Sequence, residues 1–262
     1  MLVRDLMRRS LITCLARTPL AEVARLMVQH KLHAVIVSDP AGLSQGVVSD
    51  SALVTAGWLS GGGNPEAAHA LTAGQIMQSP PDSIDADAQL VEATARMQSQ
   101  RLHRLLVTEM GRGVGMLSLS DLIGGLWQAP QPRRSVADAM DWGLVVCRAE
   151  ASLNAAARAM TEHRLRSVVI VDAQGRPLGM VTGFDLLPVL AGGDAQQRVV
   201  EIMHAPLAIG PEATLLEAAR RMLEHRAQRL IVTDPANPDG MPLGQISMSD
   251  IVAEMALPGT RA

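Results

Sequence analysis

Four registered copies of one short pattern run through this chain, and such a repeat limits its possible folds more than any single motif does. Apolar–Met pairs at Leu6-Met7, Ile76-Met77, Ala139-Met140 and Ile202-Met203 stand 70, 63 and 63 residues apart. A second signal follows each pair. Leu20, Val23, Ala24 and Met27 recur as Leu90, Ala93, Thr94 and Met97, then as Leu153, Ala156, Ala157 and Met160, and again as Leu215, Ala218, Ala219 and Met222. The i, i+3, i+4, i+7 spacing is one face of an amphipathic helix, and Thr18-Pro19 reads as N-cap and first helical residue of the first copy.

Short apolar runs come next, Ala34 to Val37, Leu105 to Val107, Val168 to Val171 and Leu230 to Val232. Turn residues such as Asp39-Pro40-Ala41-Gly42 and Asp172-Ala173-Gln174-Gly175 follow, so the runs read as strands entering hairpins. Each copy closes on a glycine, a short strand and a hydroxyl residue: Gly46 to Ser49, Gly115 to Ser118, Gly179 to Thr182 and Gly244 to Ser247. The hydroxyl can cap a helix starting there. The unit is therefore β-α-β-β-α and the fold class α/β (α+β), four repeats over about 1–60, 70–128, 133–193 and 196–257. Gly61-Gly62-Gly63-Asn64-Pro65 and Ala191-Gly192-Gly193-Asp194 separate copies within each half. Gln128 to Arg134, with two prolines, divides the chain into 1–128 and 129–262 and is the expected hinge.

Copies two to four place an aspartate three residues after the hydroxyl: Ser118 and Asp121, Thr182 and Asp185, Ser247 and Asp250. Copy one has Ser49 but Ala52. Best seen in GMLSLSDL (115–122), GMVTGFDL (179–186) and GQISMSDI (244–251), this pattern, repeated in register, resembles the cystathionine-β-synthase (CBS) domain family over essentially all 262 residues. The resemblance implies two modules of paired repeats related by pseudo-twofold symmetry. It further implies clefts for AMP, ADP, ATP or S-adenosylmethionine, with Asp121, Asp185 and Asp250 on ribose hydroxyls and Ser118, Thr182 and Ser247 beside them.

That assignment suits the chemistry. One carboxylate can accept both hydroxyls of a ribose, and a Ser or Thr hydroxyl with free N–H groups at a helix start suits an oxygen ligand. The same residues are also ordinary helix-start chemistry, a hydroxyl cap and an acid in the first turn. Ala52 cannot accept a hydrogen bond, so the first repeat is expected to be a degenerate site. Basic residues sit just before the second strand: His33, His103, Arg104, Arg166 and Arg229. The segment RLHRLLV (101–107) is similar to the phosphate-contacting stretch of the gamma subunit of AMP-activated protein kinase, which makes these residues candidate phosphate contacts.

Composition removes other classes. One Phe, three Trp and no Tyr leave little to stack bases on, and a net charge of −3 lacks the basic footprint of a nucleic-acid binder. No run of about 18 apolar residues exists to cross a membrane, and the charged N-terminus has no signal-peptide core. A cytoplasmic chain is expected. Cys14 and Cys147 sit at matching places, seven residues after a repeat methionine, where Ile84 and Ile209 stand in the other copies; they read as small buried residues. The seven histidines show no metal-ligand spacing. Trp58 and Trp127 follow the closing helices of copies one and two and read either as packing or as an association surface.

No nucleophile motif, phosphate-binding glycine loop or dinucleotide fingerprint is present. The expected function is thus a non-catalytic regulator that binds an adenine nucleotide and signals to a protein partner, as a homodimer or a self-associated disc. The alternatives are a scaffold with vestigial clefts and an S-adenosylmethionine-binding regulator.

Overall fold

The computed structural model describes residues 1–59, 70–126, 134–194, 196–237 and 240–254. The glycine-rich segment after copy one, Trp127 and nearly all of the expected hinge lie outside them. Each copy folds as one three-stranded sheet with its helices. In the first, β1 (Thr13–Leu15) leads through α1 (Leu20–His30) to β2 (Ala34–Ser38), its parallel partner, and β2 turns back into antiparallel β3 (Ser44–Ser49), which ends at α2 (Asp50–Leu59). After a short α3 (Ala73–Ile76), the second copy repeats this as β4 (Ser83–Asp85), α4 (Leu90–Ser99), β5 (Arg104–Glu109), β6 (Arg112–Ser118) and α5 (Leu119–Leu126).

The third copy comprises β7 (Val146–Arg148), α6 (Leu153–Glu162), β8 (Ser167–Val171) and β9 (Pro177–Thr182). Its closing helix is broken into a 3-10 turn, Phe184–Leu186, and α7 (Leu187–Leu190), with Pro188 inside. The fourth, after α8 (Val199–Ile202), has β10 (Ala208–Ile209), α9 (Leu215–His225), β11 (Arg229–Val232), β12 (Gly244–Ser247) and α10 (Met248–Glu254). The β-α-β-β-α unit read from the sequence is what forms.

The helical faces bury as the spacing predicts. Leu20, Val23, Ala24 and Met27 of α1 and Leu153, Ala156, Ala157 and Met160 of α6 enter one core. Leu90, Ala93 and Met97 of α4 and Leu215, Ala218, Ala219 and Met222 of α9 enter another. The last methionine of each set also closes its helix. Leu32, Leu102, Leu165 and Ala227 each donate their N–H to Met27, Met97, Met160 and Met222, at 2.9, 2.8, 2.7 and 2.8 Å. This is the six-to-one bond of a Schellman ending, and its left-handed residue is Lys31, Arg101, Arg164 or Arg226 rather than glycine. Thr18 departs from expectation. Its hydroxyl accepts the Leu15 N–H at 3.1 Å within the turn after β1, and Pro19 takes the N-cap position. Ser152 and Thr214, at the places of Pro19, do cap their helices.

The chain divides into two compact units, one containing repeats 2 and 4 and the other repeats 1 and 3, each held helix to helix. This division is a different one from the consecutive halves 1–128 and 129–262. Consecutive repeats are linked instead by exchange of their leading segments. Residues 1–10 belong to the unit that holds the body of repeat 2, and 72–81 to the unit that holds the body of repeat 1. Likewise the leading segment of repeat 3 packs on repeat 4, and that of repeat 4 on repeat 3.

The exchange makes the repeat methionine and the repeat glycine one contact. A Cβ on Gly46 would lie 2.7 Å from the Met77 sulfur, one on Gly115 2.8 Å from that of Met7, and one on Gly179 2.7 Å from that of Met203. Gly244 meets the Met140 methyl in the same way. Main-chain bonds finish the seam: the N–H groups of Val3, Ala73, Val136 and Val199 donate to Ala88, Thr18, Ala213 and Ala151 at 3.0, 2.8, 2.8 and 3.0 Å.

Cys14 and Cys147 are free and buried in equivalent strands of one core; burial pushes the Cys14 thiol up to about 11 and raises that of Cys147. Trp58 is 1% exposed, so packing rather than an association surface is its role. Among the described residues no helix is long and apolar enough to cross a membrane.

If the methionine–glycine contact ties consecutive repeats, Gly115→Val should destabilise the chain by about 1–3 kcal/mol through overpacking. Combining it with Met7→Ala should cost less than the sum of the single changes, because the two share one space. Urea midpoints of the three variants test this; strict additivity would refute it.

Candidate functional site

Four helix starts carry the predicted residues, and the same main-chain bond frames each. The N–H of the residue after the hydroxyl donates to the carbonyl just before the second strand: Asp50 to His33, Leu119 to His103, Gly183 to Arg166 and Met248 to Gln228, at 3.1, 3.1, 2.9 and 3.1 Å. This register separates the basic residues into two classes. His33, His103 and Arg166 occupy that carbonyl position. Arg104 and Arg229 lie one residue later and are the first strand residues, paired with Ser118 and Ser247.

At repeats 2 to 4 the aspartate turns one carboxylate oxygen back onto the hydroxyl residue. Asp121 Oδ2 accepts the Ser118 N–H at 2.9 Å and its hydroxyl at 2.5 Å. Asp185 Oδ2 accepts from Thr182 N and Oγ1, both at 2.7 Å. Asp250 Oδ2 accepts from Ser247 N and Oγ at 2.8 and 2.6 Å. These are the acidic halves of capping boxes. They satisfy helix-start donors and at the same time fix each carboxylate so that Oδ1 alone remains for other partners.

The fate of Oδ1 differs among the repeats. At Asp121 it takes the Arg8 guanidinium of the exchanged leading segment, Nε at 3.0 Å. Among the described residues none donates to Oδ1 of Asp185 or of Asp250. Burial, aided by the nearby Asp141 charge and opposed by the Ser247 bonds and Arg229, raises the Asp250 carboxyl above the usual carboxylate range. Arg229 itself donates to the Gln245 side chain at 2.7 Å.

Repeat 1 uses its helix start differently. With Ala52 at the acidic position, Ser49 Oγ accepts the Ala52 N–H at 3.2 Å and shares a hydrogen bond with Ser51. The carboxylate nearby is Asp50, immediately after the hydroxyl residue. Its side chain is 6% exposed; Oδ2 lies 2.7 Å from His33 Nδ1 and Oδ1 takes the Arg166 guanidinium from repeat 3. Phe184 tilts against the His33 ring at 5.1 Å. Two of the five candidate phosphate contacts, His33 and Arg166, are thus drawn to one internal anion.

Sequence reasoning missed Asp50, Arg8 and Asp141. Asp50 lies two places before the position at which a carboxylate was sought. Arg8 and Asp141 were readable only as residues that follow a repeat methionine, with no sign that the segment carrying them docks on another repeat.

The fold and these helix starts define a tandem-repeat α/β protein whose ligand-type side chains cluster where a strand ends and a helix begins. Comparison with known proteins gives that class its family. The CBS domain model matches residues 3–58, 73–127, 136–192 and 199–257; the chain belongs to the CBS domain family and contains four such domains. The Bacillus subtilis CBS domain-containing protein YhcV is 30% identical over 126 residues, 47% of this chain and 89% of that protein. The magnesium transporter MgtE of Thermus thermophilus is 38% identical over 85 residues, 32% of this chain and 18% of the transporter, so only a small part of that protein is matched. Among solved structures, a Methanocaldococcus jannaschii protein described as a proposed archaeal homologue of g-AMPK has a TM-score of 0.85 at 17% identity, over 98% of this chain and 100% of that one. That likeness is one of fold.

Two outcomes follow from the charges. Asp50→Asn should lower stability by about 2 kcal/mol, a buried-pair loss reduced for the partial exposure of His33 and Arg166. Asp50→Leu with Arg166→Met should recover part of it, as thermal unfolding would reveal; an unchanged midpoint in Asp50→Asn would refute the assignment. For Asp250 the folded carboxyl pKa is raised, so the fold takes up a proton as pH falls toward the unfolded value of about 3.9. The stability of the native protein relative to Asp250→Asn should therefore improve between neutral pH and about pH 4, and a pH-independent difference would contradict the raised value.

Proposed function

We propose that the chain is a non-catalytic regulator that binds an adenine nucleotide, AMP, ADP or ATP, and passes the bound state to a partner protein. The observation that carries this reading is the common presentation of Asp185 and Asp250. In both, Oδ2 is locked onto a Thr or Ser and Oδ1 is left at a helix start for an outside donor. A ribose supplies two adjacent hydroxyl donors for such an oxygen, and Arg229 stands near Asp250 as a cation for phosphate. His103 and Arg104 are proposed to serve repeat 2 in the same way.

The repeats are proposed to work as the consecutive pairs 1–128 and 129–262, a grouping supported by the exchange of leading segments between copies one and two and between three and four. Ligand binding would redistribute two arrangements only by binding one of them more tightly. A scaffold with vestigial sites is the second reading. The capping boxes favour it, since they alone give Asp121, Asp185 and Asp250 a structural reason to be present.

A thermal-shift series with AMP, ADP, ATP and S-adenosylmethionine separates the readings. A ligand bound only by the folded chain at about 100 times its Kd stabilises it by about 2.7 kcal/mol. The expected result is a selective rise in midpoint with an adenine nucleotide that Asp185→Ala and Asp250→Ala each reduce. A rise with S-adenosylmethionine alone would reassign the ligand, and no rise with any of the four would leave the scaffold.

A further inference from the structure

The residue after each exchanged methionine occupies one equivalent place. Gln78, Arg8, His204 and Asp141 pair with Val47, Met116, Met180 and Gln245, each two residues before the hydroxyl that starts the closing helix. The four copies fill this place with an amide, a cation, an imidazole and an anion, and at repeats 2 and 4 it bears on the acidic position, through the Arg8–Asp121 ion pair and the Asp141 charge beside Asp250. His204 turns its ring to the Met180 carbonyl, Nδ1 at 2.5 Å. Asp141 is an anion beside an anion, and its charge bears on Asp250. Only Arg8, among the described residues at this place, closes on its carboxylate.

The consequence at repeat 2 is that Asp121 has both oxygens engaged, Oδ2 by Ser118 and Oδ1 by Arg8. A ribose diol approaching Asp121 must displace the guanidinium; at Asp185 and Asp250 it meets an oxygen with no such partner. The two ends of the ion pair are unequal. Asp121 is 10% exposed at its side chain and Arg8 is 72% exposed, so the carboxylate stays in place while the arginine is free to swing into water.

We propose that Arg8 is a built-in counter-ion that holds the second repeat closed to a diol ligand, so that the primary sites are those of Asp185 and Asp250 and the Asp121 site opens only when Arg8 releases. The inference rests on the reading of these aspartates as ribose acceptors. It makes Arg8 a specificity-determining residue that ranks sites built on one backbone frame. An ion pair with one solvent-exposed partner is weak and sensitive to salt, so the latch is graded: it lowers affinity at repeat 2 by about three- to fivefold rather than abolishing it.

The experiment is calorimetric titration of the full chain with AMP and with ATP, comparing native protein, Arg8→Met, Arg8→Met with Asp121→Asn, and Asp185→Ala with Asp250→Ala, at low and high salt. Circular dichroism confirms that each variant is folded. Arg8→Met is expected to tighten one class of site about three- to fivefold, to lose that gain when Asp121→Asn is added, and to match the native protein more closely at high salt. The Asp185→Ala, Asp250→Ala chain should keep only the weak class. If native binding depends on Asp185 and Asp250 but Arg8→Met leaves affinity unchanged or weakens it, the latch is overturned while the nucleotide reading stands. If neither nucleotide binds native protein or Arg8→Met, both fall.

Discussion

The contact between the repeat methionine and the repeat glycine is the interaction on which the rest of the architecture depends. A methionine thioether laid on a strand needs a residue beneath it with no side chain, and Gly46, Gly115, Gly179 and Gly244 supply that space in the four sheets. The methionine never belongs to the copy that supplies the glycine. Burying Met7 and Met140, 8% and 7% exposed, is worth about 1.5–3 kcal/mol each, and the reciprocal arrangement commits consecutive copies to each other. The leading segments also serve the helices they reach. Leu90, Leu20 and Leu215 start α4, α1 and α9 with N–H groups that donate to Met1, Leu71 and Arg134 of the exchanged segments, at 3.1 Å in each case, so donors that a helix cannot satisfy itself are satisfied by a neighbouring copy's chain.

The same economy governs the helix starts. A carboxylate three residues beyond a Ser or Thr is a structural device, and its Oδ2 is spent as one in all three copies that have it. Structure and ligand binding need not compete, because a carboxylate has two oxygens and the cap uses one. What distinguishes the copies is what stands opposite the other oxygen. In repeat 1 the carboxylate moved to Asp50 and turned inward, where it joins His33 to Arg166 of repeat 3. That charge cluster belongs to the unit of repeats 1 and 3; in the unit of repeats 2 and 4 a neutral bond from the Gln98 amide to the Val252 carbonyl, 2.7 Å, spans the two copies.

Much of this was legible in the sequence because local periodicity carries it. The i, i+3, i+4, i+7 sets buried as read, the turns at Gly42 and Gly175 adopt the positive φ their glycines permit, and the equivalence of Cys14 with Cys147 marked two small buried residues. The methionine and the glycine were both visible, but as separate signals. Met7 and Gly115 lie more than a hundred residues apart, and no periodicity records that one rests on the other. Thr18 was misplaced for a local reason, since a hydroxyl beside a proline could serve either the turn before it or the helix after it, and here it takes the Leu15 N–H of the turn. Asp50 was not legible because repeat 1 places its carboxylate one residue after the hydroxyl, where the other copies place it three residues after.

An exchanged segment has a property that a residue within a repeat lacks. The residue after the methionine is held by main-chain bonds on both sides, Arg8 N to Met116 O and Met116 N to Arg8 O at 2.9 Å each, so its position is set by backbone while its side chain is unconstrained by the core. Arg8 and His204 are both exposed. Substitution there changes the electrostatics at a neighbouring helix start without disturbing packing, which is how one frame can carry Gln78, Arg8, His204 and Asp141 at the same place. A repeat protein that kept its whole helix start within each copy would have to alter capping or core residues to make its copies electrostatically unequal. By sending one residue of each copy to another, this fold separates what must stay constant, the Met–Gly seam and the capping carboxylate, from what can vary.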